Sequence, residues 1–143
     1  MIRAINPARD IELEPLENPG NTTGFASPAT DYIQDRLHIV QKLVDDPVNT
    51  FYFHMDSAEL QNLGIAKDAL LVVDRSVRPS HGSIIIVNKD GEWLVRQLIT
   101  LGGQKYLVNG RLLSERTLIE DEGIVVFGVV TWSCNPMKKI KKH

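Results

Sequence analysis

Short apolar runs, rich in β-branched residues and separated by glycine turns, constrain this chain more than any other feature. The runs at 69–74 and 84–88 read ALLVVD and IIIVN, a composition typical of strands buried in a sheet. Asp90-Gly91 is a hairpin signal that joins the second run to a strand predicted at 92–100. Further strands are predicted at 50–53, 106–108 and 124–132. The pattern indicates a mostly-β domain with a folded sheet or a barrel.

One helix is predicted before the strands. Apolar residues recur at intervals of three to four positions within 32–44, at Ile33, Leu37, Val40 and Val44. Pro47 follows, and a proline cannot continue a helix because it lacks the backbone N–H and clashes with the preceding turn. We therefore expect one short N-terminal helix.

The first 23 residues differ in character from the rest of the chain. Pro7, Pro15 and Pro19 interrupt any regular element, and few apolar residues are available for burial. We predict an extended arm at 1–23 and one β domain at 24–143. A chain of 143 residues suits a single domain of this kind.

Charge is distributed unevenly along the chain. The net charge is -2, yet four of the 16 Lys and Arg residues lie near the C-terminus, at Lys138, Lys139, Lys141 and Lys142. The remaining body is acidic, which argues against direct, sequence-specific binding of nucleic acid. We expect 136–143 to be a basic, solvated tail.

The cysteine and histidine content limits the possible chemistry. Cys134 is the only cysteine, so an intrachain disulfide is impossible and a reducing cytoplasm is expected. No apolar run approaches the roughly 20 residues of a membrane helix, so no membrane association is predicted. The histidines show no metal-ligand spacing with one another or with Cys134. We expect neither a metal nor a cofactor.

Four short stretches, in order and at matching spacing, resemble one known family. They are GFASPATDY at 24–32, ELQNLGIAKDALLVVD at 59–74, HGSIIIVNKDGEWLVRQL at 81–98 and VFGVVT at 126–131. The stretches resemble the LexA/UmuD self-cleaving serine peptidases, and UmuD-type members most closely. The resemblance implies the folded β-sheet of the LexA/UmuD C-terminal domain with one short N-terminal helix.

The same resemblance implies a role and a set of partners. UmuD-type proteins are accessory subunits of the error-prone translesion DNA polymerase V in the SOS response to DNA damage. The chain is therefore expected to form a homodimer, or a heterodimer with UmuD, and to bind a Y-family DNA polymerase subunit. Dimer contacts are expected at 125–132 and around 88–93. The RecA filament and the sliding clamp are further implied partners.

Both catalytic positions of the family are changed in this chain. The family has a nucleophilic Ser where Glu59 stands, and a Lys base where Arg96 stands. A buried lysine can lose its proton, whereas a guanidinium keeps its proton in proteins. The resemblance and these replacements predict a pseudoenzyme of the Ser–Lys peptidases. Our hypothesis is that Glu59 and Arg96 form a charge-assisted ion pair, the alternative being that both point to solvent.

Two features leave other functions open. A shifted register would make Ser57 the nucleophile, with Lys67 or Lys89 as its base. Thr23-Gly24 stands where the family cleaves a Cys-Gly or Ala-Gly bond, and the β-branched Thr crowds the attacked carbonyl. This bond is either a substrate for an intact UmuD partner or a flexible joint. Beside a binding subunit, the sequence thus allows a self-cleaving peptidase, and a decoy that inhibits active UmuD.

Overall fold

The computed structural model describes residues 2–5, 39–110 and 115–138. Within these ranges the chain has eight β-strands: β1 (Ile2–Ile5), β2 (Thr50–Met55), β3 (Leu70–Asp74), β4 (Ile84–Lys89), β5 (Glu92–Leu101), β6 (Gln104–Val108), β7 (Thr117–Leu118) and β8 (Ile124–Cys134). Residues 39–43 are helical, and single turns of 3-10 helix occur at Pro47–Asn49 and Gln61–Leu63. No helix in the described ranges is long and apolar enough to cross a membrane.

The strands form one antiparallel sheet in the order β1-β2-β3-β8-β4-β5-β6-β7. The last strand, β8, lies between β3 and β4, which follow each other in sequence. Strand β8 therefore joins two halves of the sheet. The first half consists of β1 to β3, and the second half consists of β4 to β7.

The sheet curls on itself. Strand β1 contacts β5, although four strands lie between them in the order of the sheet. The register along β8 shifts twice, because Thr131 has no partner on β3 and Phe127 has no partner on β4. Such bulges bend a strand and increase its twist. The predicted mostly-β, folded-sheet architecture is confirmed.

Burial explains the apolar first four residues of β4. Ile86 packs in one cluster with Phe53, whereas Ile85 and Val87 pack in a second cluster with Leu98. Neighbouring residues of a strand point to opposite faces, so this part of β4 is covered on both faces. The run at 84–87 is apolar throughout because both of its faces are packed, and the strand ends in the polar residues Asn88 and Lys89.

The predicted hairpin turns are present. Asp90 and Gly91 have φ of 52° and 88° and join β4 to β5. Gly102 and Gly103 have φ of 56° and 80° and join β5 to β6. Two successive left-handed residues give the turn whose twist matches antiparallel strands. The β4–β5 hairpin fixes the register that positions the candidate site.

Several predicted features lie partly or wholly outside the described residues. The predicted helix is seen only at 39–43, and residues 32–38 are not described. The Thr23-Gly24 bond, most of the arm and residues 139–143 also lie outside the described ranges. The start of the arm is described: Ile2–Ile5 forms β1, which pairs with β2 of the same chain. Sequence patterns did not indicate this strand.

Gly128 offers a test of the close approach between β8 and β3. A Cβ at this position would lie 2.9 Å from Val73 Cγ1 and 3.2 Å from the Asp74 carbonyl oxygen. We expect Gly128→Ala to lower the free energy of unfolding by about 1–3 kcal/mol, because buried neighbours must shift. Urea denaturation measures this change. Lys105→Ala, exposed on β6, is the control and should change stability by less than about 0.5 kcal/mol. A Gly128→Ala protein as stable as this control would contradict the packing described.

Candidate functional site

Glu59 lies in the loop between β2 and β3, in the first half of the sheet. The loop runs from Asp56 to Ala69, and its next residue after Glu59, Leu60, is fully buried in the core. Burial of that leucine holds the start of the loop against the sheet, since a buried Leu contributes roughly 1.5–3 kcal/mol. The side chain of Glu59 is 33% exposed.

Two asparagine side chains form hydrogen bonds between this loop and the rest of the sheet. The Asn135 Nδ2 donates to the Gly64 carbonyl at 2.8 Å, and its Oδ1 accepts from the Ala66 N–H at 3.2 Å. The Ser133 hydroxyl donates to the same Oδ1 at 2.7 Å. Asn62 Nδ2 donates to the carbonyl of Gly110. The end of β8 and the segment after β6 therefore fix the position of the loop.

Arg96 lies on β5, in the second half of the sheet. It pairs with Ile85 in the β4–β5 ladder. Val95 is fully buried in the main core cluster, so Arg96 points to the opposite face of the strand. Its side chain is 24% exposed.

The structure brings Glu59 and Arg96 together. Arg96 Nη1 lies 3.9 Å from Glu59 Oε1, within ion-pair range and beyond hydrogen-bond range for these two atoms. The same Nη1 donates instead to the Val95 carbonyl at 2.7 Å. The opposite charges thus face each other at ion-pair distance, as the hypothesis of an ion pair requires.

An open cleft of about 400 Å³ surrounds the pair. Its lining consists of Glu59, Lys89, Asp90, Glu92, Leu94 and Arg96. Our sequence analysis considered Lys89 only as an alternative base for Ser57, and it did not place Asp90, Glu92 or Leu94 at the site. The signal was available on β5, because Glu92, Leu94 and Arg96 alternate along one strand and share a face. The cleft holds three carboxylates and two cations.

The displaced-nucleophile alternative finds little support in this geometry. Ser57 is half-buried and precedes Glu59 by two residues. Lys67 and Lys89 are both exposed, whereas a lysine base needs a buried setting. Lys89 is the last residue of β4, not a loop residue, and it lines the cleft.

Histidines serve structural contacts in the described part of the chain. His81 Nδ1 accepts a hydrogen bond from the Thr100 N–H at 2.8 Å. His54 Nδ1 lies 2.6 Å from Asp56 Oδ1, and its Nε2 lies 3.6 Å from Asp68 Oδ1. Among the described residues, no group of three or more His, Cys, Asp or Glu side chains could hold a metal ion.

Comparison with known proteins identifies relatives across most of the chain. The family described as Peptidase S24-like matches residues 21–131. Protein ImpA of Salmonella typhimurium is 34% identical over 122 residues, which cover 85% of this chain and 83% of ImpA. Protein SamA of Salmonella typhimurium is 32% identical over 84 residues, covering 59% of this chain and 60% of SamA. Protein MucA of Escherichia coli is 32% identical over 78 residues, covering 54% and 53%.

A double-mutant cycle tests the interaction of the two charged side chains. The single variants are Glu59→Gln and Arg96→Gln, and the double variant completes the cycle. We expect a coupling free energy of no more than about 1 kcal/mol, because the pair is partly exposed and 3.9 Å apart. Added salt should reduce it further. A coupling well above about 2 kcal/mol in urea denaturation would show a much tighter pair than this geometry allows.

Proposed function

The chain belongs to the Peptidase S24-like family, and on that premise we propose that it is a non-catalytic UmuD-type subunit of SOS mutagenesis. It acts in translesion DNA synthesis by dimerising and by binding a Y-family DNA polymerase or a UmuD partner. The observation that carries the proposal is the pair of charged side chains, Glu59 and Arg96, that face each other in the cleft. Resemblance places these two residues at the positions of the family's Ser and Lys.

The need for a neutral base argues against self-cleavage by this chain. A serine nucleophile needs a neutral base to take its proton as it attacks the carbonyl. A guanidinium remains protonated in proteins, and Arg96 uses one of its N–H groups to bind the Val95 carbonyl. A carboxylate at position 59 would have to attack the peptide as an anhydride-forming nucleophile. Either replacement alone is expected to abolish the reaction, so this protein works through contacts.

The surface of β8 supports a binding role. Val125 is 64% exposed and Trp132 is 43% exposed, both on a strand in the middle of the sheet. Exposed apolar side chains mark protein–protein contacts, and tryptophan is enriched at their centres. Both residues lie at 125–132, where the resemblance implies dimer contacts. We assign the dimer interface to this strand and to the adjacent segment 88–93.

The partners follow from the resemblance. They are a second copy or UmuD, a Y-family polymerase subunit, and the RecA filament and sliding clamp that UmuD-type proteins contact. A decoy that occupies active UmuD would use the same β8 surface. A polymerase-binding subunit and a decoy would use the same contacts with different partners. Identifying the partner that co-purifies with the chain therefore distinguishes the two roles.

Restoring the dyad tests the loss of catalysis. We expect the unaltered chain to stay intact with activated RecA filament and at alkaline pH, because Arg96 cannot act as a base. The variant Thr23→Ala/Glu59→Ser/Arg96→Lys should lose its 23-residue arm, since it regains a hydroxyl and a lysine at facing positions. Thr23→Ala/Glu59→Ser is the matched control and should remain uncut. Mass spectrometry reads the products.

Cleavage of the unaltered chain at Thr23-Gly24 under those conditions, or an acyl adduct on Ser57, would overturn the non-catalytic assignment. Survival of the triple variant would contradict a retained catalytic frame.

Co-purification tests the binding role. We expect the chain to retain a Y-family polymerase subunit, and Trp132→Glu to release it or the dimer partner by placing a charge in the apolar interface. Val48→Glu, at a residue 85% exposed and outside β8, is the control. Retention of an intact UmuD without the polymerase would favour the decoy, and retention of neither would contradict the proposal.

A further inference from the structure

Strand β1 is a short edge strand that covers the outer edge of β2, and we call it the cover of β2. It has four residues and, within the described ranges, pairs with β2 alone, from Ile2 opposite Met55 to Ile5 opposite Tyr52. Of its side chains only Ile2 is buried, in the cluster that contains Phe53 and Met55. Toward the described residues, β1 therefore contributes a single side chain to the core.

The polar contact of β1 is also exposed. Arg3 Nε lies 3.6 Å from Asp56 Oδ1, and the side chains are 56% and 43% exposed. Exposed ion pairs of this kind contribute little because water and salt screen them. Because β1 and β2 belong to one chain, their pairing is intramolecular, which gives β1 a high effective concentration at its site.

The strand beneath this cover has the character of a pairing edge. Strand β2 reads Thr-Phe-Tyr-Phe-His-Met and contains no Lys, Arg, Asp, Glu, Pro or Gly. Aromatic and β-branched residues favour strand pairing, and charges and prolines are the usual protection of an exposed edge. Strand β2 lacks that protection, so β1 supplies it.

We propose that β2 is a latent pairing edge for a second copy of this chain and that β1 is its removable cover. Displacement of β1 lets two copies pair β2 against β2 in antiparallel fashion, forming one continuous sheet around a two-fold axis.

The sequence of β2 fits such a self-pairing. With the axis through Tyr52, the two Tyr52 residues lie opposite each other on the outer face. Phe51 of each copy then lies opposite Phe53 of the other, on the inner face. In this register each side chain lies opposite a side chain on the same face of the sheet. Aromatic cross-strand pairs stabilise antiparallel ladders. No other segment is needed to complete the contact.

A cut between Ile5 and Ile39 is the natural trigger. Cleavage at Thr23-Gly24 by a partner, a step that rests on the proposed function, would place β1 on a separate peptide, so that its pairing with β2 would no longer be intramolecular. The pairing itself does not depend on that function, because any displacement of β1 exposes the same edge.

Variants of the full chain test the cover directly. Ile2→Asp places a charge in the core position of β1 and should displace it, whereas Ile2→Val should leave it in place. Hydrogen exchange reports each strand separately. In the Ile2→Asp chain we expect residues 2–5 to lose protection. The backbone amides of 50–55 that bond to β1 should exchange freely at low protein concentration and regain protection at high concentration, with at least a doubling of the mass in light scattering, while the amides that bond to β3 stay protected.

Further variants locate the contact and guard against unfolding. Adding Tyr52→Lys to Ile2→Asp should abolish the doubling, because two lysines would face each other across the axis. Val48→Lys, outside β2, should not. If Ile2→Asp exposes β4 to exchange, it has unfolded, and Ile2→Ser takes its place.

Two outcomes would overturn the proposal. One is displaced β1 with the β1-facing amides of 50–55 unprotected at every concentration. The other is retained protection of residues 2–5 in both Ile2→Asp and Ile2→Ser, because β1 would then not be removable. A dimer through β8 would already be present in the unaltered chain and would add no protection to β2. Failure of the proposed function is thus distinguishable from failure of this inference.

Discussion

Pairing of the last strand with both halves of the sheet is the interaction on which the structure depends. Strand β8 bonds to β3 on one side and to β4 on the other. Glu59 belongs to the first half of the sheet and Arg96 to the second. The distance between them therefore depends on β8, which contains neither residue. The residue after the end of β8, Asn135, also binds the loop that carries Glu59. The geometry of the cleft is therefore a property of the whole sheet.

This dependence means that the backbone around the cleft is held independently of the two charged side chains in it. The backbone of β5 is fixed by the β4–β5 ladder, and the Glu59 loop is fixed by Leu60 and by asparagine contacts. None of these contacts involves the charged heads of Glu59 and Arg96. If these residues replace a Ser–Lys dyad, as we propose, both replacements enlarge the side chain and the open cleft accommodates them. Chemistry and scaffold are separable here because different residues carry them.

Sequence patterns predicted the elements whose signals are local. The run 84–88 and the Asp90-Gly91 turn identify β4 and its hairpin because burial on both faces and left-handed φ each demand particular residues. The proximity of Glu59 and Arg96 was predicted from the resemblance to the LexA/UmuD family and not from a local pattern. The predicted run ended at residue 88, one residue before the end of β4 at Lys89, because hairpin signals do not set strand ends to within a residue. Strand β1 escaped prediction because a four-residue edge strand carries too short a pattern, and its partner lies far away in sequence.

The two bulges of β8 determine what the loss of one residue from this strand would do to the sheet. Thr131 and Phe127 each add one residue on β8 that the neighbouring strand does not match. Removing either residue would let the ladder run regularly, with the remaining pairs and their facing kept, and it would remove the local bend. A gap at either position in an alignment of relatives would therefore signify a change in sheet curvature and not a slip in strand register. Homologues that differ there should keep the same strand pairing and differ in how β8 bends.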